Sequence, residues 1–150
     1  MPTPLRETAL AAIASRLVAS IPAAAVERAR RAPVDADKEL LPRLILTGAS
    51  WEADEGAEPG ITHYTMGFVV TGYARAATDL ALEQALSALH AATVAALAGW
   101  TPVVDGLGEA AEEGAEFQIY DAEESAKPAG EFTARFNMLC LAPLGSPYTA

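Results

Sequence analysis

The sequence predicts an α+β fold, a mainly antiparallel sheet with two helices packed on one face, and three observations predict it. Two stretches carry apolar residues every three or four positions, ending at Ile21 and at Leu97. Two others, Thr62 to Tyr73 and Phe132 to Cys140, alternate with a period of two. In chain order the segments run helix, two strands, a long strand, helix, two strands. That order lacks the strict strand and helix alternation of a parallel sheet, so helices layered on one side of the sheet are expected.

The first helix is expected to be capped by Thr3, with Pro4 in its first position and Leu10, Ile13, Leu17 and Ile21 forming one apolar stripe. Pro22 ends it. Val26 to Arg31 reads as a short, partly exposed strand on which Arg28 and Arg30 share a face. A polar connection, Asp35 to Glu39, leads through Pro42 to Leu44-Ile45-Leu46-Thr47, a compact buried strand ended by Gly48. Residues 48–60 carry Trp51, Glu52, Asp54, Glu55 and Glu58 among glycine and proline, and are expected to form a loop.

In the long strand, Tyr64, Met66, Phe68 and Val70 face one way. His63, Thr65, Val69, Thr71 and Tyr73 face the other. Apolar residues on both sides predict a central strand with one face under helices and the other partly covered, by a second subunit among other candidates. The second helix is expected from Thr78 or Asp79 to Ala98, with a stripe of Leu82, Leu86, Leu89, Thr93 and Leu97 and a stop at Gly99 and Pro102. Its other face is mostly alanine, a thin surface suited to a close neighbour.

Between Asp105 and Glu131 nine acids face one base, Lys127. Residues 105–116 are read as a loop, and Glu116 to Asp121 as a strand with Phe117 and Ile119 inward. A loop with Pro128 and Gly130 then leads to an antiparallel partner carrying Phe132, Ala134, Phe136, Met138 and Cys140. Beyond Pro143 an irregular tail ends near Tyr148, whose ring is a candidate anchor.

Length and charge bound the rest. One hundred and fifty residues, 51% of them apolar, suit one domain spanning residues 1–150. The formal charge of -10 disfavours binding to a phosphate backbone. A mean hydropathy of +0.18 excludes the disordered class, and no unbroken apolar run reaches the roughly 20 residues of a membrane span, so no membrane partner is expected. No secretory signal is read at the N-terminus. A lone cysteine, Cys140, excludes an internal disulfide, and an intracellular product is expected.

Motifs for chemistry are sparse. His63 and His90 have no acid at ligand spacing, so no metal or other cofactor is expected. Phosphate-cradling and nucleophile-elbow motifs are missing from the sequence. Glu112-Glu113 and Glu123-Glu124 are paired acids in principle fit for acid/base work, but such runs are commonly solvated. Cys140, in phase with core aromatics, should stay protonated. An enzyme reading therefore reduces to a small cytoplasmic hydrolase or acyl-transferring protein using Cys140, or a carboxylate pair, with His63. A cytoplasmic adaptor is a third reading. Arg28, Arg30 and Arg31 stand out as a basic cluster in an acidic chain, suited to contact the acidic segment of another copy or to protect an edge strand.

Several segments together carry a family resemblance. Leu5-Arg6-Glu7-Thr8-Ala9-Leu10, Val26-Glu27-Arg28-Ala29-Arg30-Arg31, Leu41-Pro42-Arg43-Leu44-Ile45-Leu46, His63-Tyr64-Thr65-Met66, Phe132-Thr133-Ala134-Arg135-Phe136 and Ser146-Pro147-Tyr148-Thr149 form the pattern. Over most of its length the chain resembles the small tail-terminator, or tail-completion, proteins of long-tailed phages and gene transfer agents. The resemblance implies a non-enzymatic virion protein of the tail or neck, assembled in the host cytoplasm. It implies a hexameric ring of identical copies that caps the tail tube protein, meets a head-completion (stopper) protein and lets DNA pass through its lumen without sequence-specific binding. An acidic channel suits that passage, since like charge keeps DNA from sticking.

Overall fold

The computed structural model describes residues 2–54, 58–120 and 127–149. Its elements follow the expected order: α1 (Leu5–Ser20), β1 (Ala25–Arg28), β2 (Arg43–Asp54), β3 (Ile61–Arg75), α2 (Asp79–Leu97), β4 (Leu107–Ile119) and β5 (Ala129–Pro143). The five strands form one sheet in the order β1-β2-β3-β5-β4. Among the described strands β1 and β2 form the one parallel ladder, and the other three ladders are antiparallel. This is the α+β fold expected from the sequence.

Alternation decides which side of the sheet is buried. Met66, Phe68 and Val70 of β3 stand directly opposite Met138, Phe136 and Ala134 of β5, and all six are buried. The Phe68 and Phe136 rings stack with centroids 5.2 Å apart. Leu44 and Leu46 extend the layer through β2, and Leu107 and Ala110 through β4. Glycine makes room where a large ring needs it: a Cβ at Gly72 would meet the Phe132 ring.

Two helices cover this layer. Helix α1 buries Leu5, Ala9, Leu10, Ile13 and Leu17, and α2 buries Leu82, Leu86, Leu89, Thr93, Ala96 and Leu97. The Thr78 hydroxyl caps α2 by accepting from the Ala81 amide at 3.1 Å. Thr93 is satisfied within the core because its hydroxyl donates to the Leu89 carbonyl at 2.8 Å. Arg16 of α1 donates to the Ala96 carbonyl at 2.9 Å, placing a cation at the C-terminal end of α2, and its guanidinium lies 5.6 Å from the centroid of the Trp100 ring. By length and composition alone α2 is apolar enough to cross a membrane, with 19 residues at a mean hydropathy of 1.3. Much of that apolarity is its leucine stripe, which the sheet buries.

Several boundaries differ from expectation. Thr3 does not cap α1; Pro4 holds that position without a side-chain hydrogen bond. The start of α1 is tied instead to residues 147–149, since the Leu5 amide donates to the Pro147 carbonyl and the Thr149 amide to the Thr3 carbonyl. Backbone, rather than the half-exposed Tyr148 ring, anchors the tail. Gly48 does not end its strand: β2 continues through Trp51 to Asp54, and Trp51 stacks on Tyr64 at 4.6 Å. Gly48 sits at a register shift where the Arg6 guanidinium and Leu10 occupy the place of a Cβ, so its small size admits α1. Residues 107–116 are strand rather than loop, and Gly130 lies inside β5.

The stacked phenylalanines make a direct test of this layer. Phe136→Ala removes a ring that is 1% exposed and should cost about 3–5 kcal/mol in urea unfolding. A loss below about 1 kcal/mol would show that the two helices collapse onto the gap or do not pack there.

Candidate functional site

The two edges of the sheet carry opposite chemistry. At the β1 edge, positive φ at Ala29 (53°) ends the strand, so Arg30 leaves the register of Arg28 and the two do not share a strand face. Arg28 donates to both carboxylate oxygens of Glu7 on α1, at 2.5 and 3.1 Å. Arg30 is gripped by Glu39, with Nη2 donating to Oε2 at 2.7 Å, and also pairs with Glu27 at 3.3 Å. Glu27 further accepts from Arg43. Arg31 is exposed and has no ion-pair partner among the described residues.

This network perturbs its acids. The Arg30 guanidinium, helped by the Asp35 amide at 2.6 Å, holds the Glu39 carboxyl down at about 2. Arg28 likewise lowers Glu7. Asp37 accepts from Arg75 of β3 at 2.6 Å, so the connection between β1 and β2 is pinned at both ends by charge-assisted hydrogen bonds.

The other edge is β4, which carries Glu109, Glu112, Glu113 and Glu116 and no base. Its N-terminal part is covered: the Gly99 amide donates to the Ala110 carbonyl, and the Ala110 amide donates to the Trp100 carbonyl. From Ala111 onward no further element pairs with its outer side among the described residues. Phe117 and Ile119 have the phase expected of them, opposite Phe132 and Gly130 on the helix side. They are nevertheless 50% and 44% exposed, because α2 leaves this end of β4 uncovered. They line an open cleft of about 520 Å³ with Glu83, Leu86 and Ser87 of α2.

Beside that cleft, His90 of α2 shares a 2.8 Å hydrogen bond with Glu112, and its ring meets Phe117 and Phe132 edge-on at 5.4 and 5.3 Å. Sequence spacing missed this pair because its members lie 22 residues apart on different elements. The acid pair Glu112-Glu113 is split by the strand: Glu112 turns to His90, whereas Glu113 accepts from Asn137 at 2.8 Å on the open face. Glu123-Glu124 and Asp121 lie outside the described residues. No cluster of three or more metal-ligating side chains occurs among the described residues.

The open face of the sheet bears His63, Thr65, Val69, Thr71 and Tyr73, half-buried by their neighbours, with Leu139 and Leu141 exposed beside them. Cys140 stands on the opposite, helix-covered face, across from Tyr64, while His63 stands across from Leu141. The sheet therefore separates the proposed nucleophile from its base. Burial pushes the Cys140 thiol up to about 11, as expected of a thiol that packs as an apolar group.

The chain matches no protein-family model and no curated protein. Among solved structures it is similar to a chain of the virion of a native gene transfer agent particle, at 15% identity and a TM-score of 0.47, over 93% of this chain and 92% of that one.

Two measurements check these assignments. At pH 8 an alkylating reagent should leave Cys140 of the folded chain unmodified and label it after denaturation; rapid labelling of the native protein would contradict its burial. For Glu39, the ion-pair contribution to stability is complete above the ordinary carboxyl value of 4.5 and is lost as pH falls through about 2. Glu39→Gln should therefore lower stability at neutral pH and flatten its decline across that window, as read from unfolding midpoints at stepped pH.

Proposed function

We propose that this chain is a structural virion component, a tail terminator whose copies form a ring that caps a tail tube and joins it to a head-completion protein. One observation carries the reading: the described half-sheet edge at β4 exposes Phe117 and Ile119 beside a cleft, which is costly surface for a solitary molecule. Exposed Leu139 and Leu141 add a second apolar area on the open face. The residue patterns that resemble the tail-terminator family support the same reading and supply the expected number of six copies. In it, the tail or neck of the particle is the chain's destination, the host cytoplasm its place of assembly, and DNA crosses the lumen without sequence-specific contact.

Separation of Cys140 from His63 removes the support for an enzyme using that pair, since a nucleophile and its base must lie within hydrogen-bond reach. The arginine cluster keeps its proposed role in subunit contact, with a division of labour. Arg28 and Arg30 shape the β1 edge through Glu7 and Glu39, and exposed Arg31 meets the acids of the next copy.

Light scattering of the full chain, alone and mixed with tail tubes, tests the reading. A species near six times the 15.6 kDa chain mass is expected, bound at tube ends. A monomer under every condition, with tubes left uncapped, would falsify it. Arg31→Glu should weaken the ring about tenfold or less, in a salt-dependent way, without lowering the melting temperature of the monomer.

A further inference from the structure

We propose that the ring is joined by strand addition, with β1 of one copy pairing along residues 115–119 of β4 in the next, so that the two sheets become continuous. The inference rests on the ring reading above and names the surfaces that would make it.

Three observations select this pairing. First, the outer side of β4 is already engaged at Ala110 by Ala98 and Trp100, and its register shifts lie before Ala115. Residues 115–119 thus form the regular stretch of that edge, with backbone groups free to pair among the described residues. Second, the side chains match. Val26 lies opposite Leu44 on the helix side of β1, and Arg28 follows two residues later on the same side, reaching Glu7 of α1. On β4 the helix side offers Phe117 and Ile119, also two residues apart, with Glu83 at the rim of their cleft. In a continuous sheet Val26 enters the layer of Phe117 and Ile119, while Arg28 stays with Glu7 of its own copy. Third, charge selects the partner. A symmetric β4-to-β4 contact along residues 115–119 would bring Glu116 beside Glu116, whereas the β1 edge, with Arg28 and Arg30 already paired to Glu7 and Glu39, offers the exposed Arg31. The contact is consequently head-to-tail, the type that closes into rings.

Cysteine cross-linking of the full chain tests it, with Cys140 buried and left in place. A chain carrying both Val26→Cys and Phe117→Cys should form, on mild oxidation, a ladder of covalent multimers ending at the ring, while either single variant should form none. Covalent dimers from Phe117→Cys alone would overturn the proposal in favour of a symmetric β4 contact. A ring that assembles without cross-linking would overturn it while leaving the tail-terminator reading intact, and a chain that never assembles overturns both. Phe117→Lys supplies a second arm. Its monomer should melt as the parent does, since the ring is half exposed, and its association should weaken about tenfold or more. Unchanged association in that variant counts against the strand pairing.

Discussion

The ladder between β3 and β5 is the interaction on which the rest of the molecule depends. It runs from Ile61 opposite Pro143 to Arg75 opposite Ala129 without a register shift, whereas the β2–β3 ladder contains one and the β4–β5 ladder two. Side chains in a strand alternate, so this uninterrupted register commits every residue of both strands to one face. Met66, Phe68, Val70, Phe132, Ala134, Phe136, Met138 and Cys140 all fall on one side, and that side is the floor of the core. Helices α1 and α2 need only lay their leucine stripes upon it. Burial of such side chains contributes about 1.5–3 kcal/mol each before the entropy of ordering the chain is subtracted. The same parity sends His63 and Leu141 to the open face and keeps them from Cys140.

Much of this was readable from residue order because large apolar side chains at a strict period leave little choice. The leucine stripe of α2, its start near Thr78 and the alternation of β3 and β5 all depend on neighbours close in sequence. Apart from the local turn at Ala29 that separates Arg28 from Arg30, the failures trace to contact between segments far apart. Gly48 reads locally as a strand terminator, but its missing side chain makes way for Arg6 and Leu10 from α1. Residues 107–116 are rich in glutamate, alanine and glycine, which have low strand propensity; the long partner β5 supplies the hydrogen bonds that override it. For Phe117 and Ile119 the phase was legible and the coverage was not, since coverage depends on where α2 lies above the sheet.

Electrostatics at the β1 edge shows the same limit. From sequence, three arginines within four positions look like a free basic cluster. The fold brings Glu7 from α1 and Glu39 from the following connection onto two of them, so their charge is spent on holding β1 and the connection in place. The net charge of that edge is consequently smaller than the sequence implies, and its chemistry is concentrated in Arg31. The acids along β4 are less fully neutralised: Glu112 shares a hydrogen bond with His90, Arg135 reaches Glu116 at 3.4 Å across the sheet, Asn137 satisfies Glu113, and Glu109 is exposed.

That asymmetry bears on how an exposed apolar strand edge is kept from pairing with its own kind. Edge strands are commonly protected by charge, by bulges or by cover, and β4 uses all three over its first part: Trp100 covers it, two register shifts bend it, and glutamates flank it. Protection lapses at Phe117 and Ile119. Had solubility alone shaped this surface, the cheapest change would be a charged residue at either position, because neither ring nor branch is fully buried and little packing would be lost. The acids upstream discourage two identical edges from meeting yet leave an edge of other charge unopposed. Repulsion of like edges and exposure of an apolar patch are therefore compatible requirements on a single strand, and together they favour a partner edge of different charge over a second copy of the same edge.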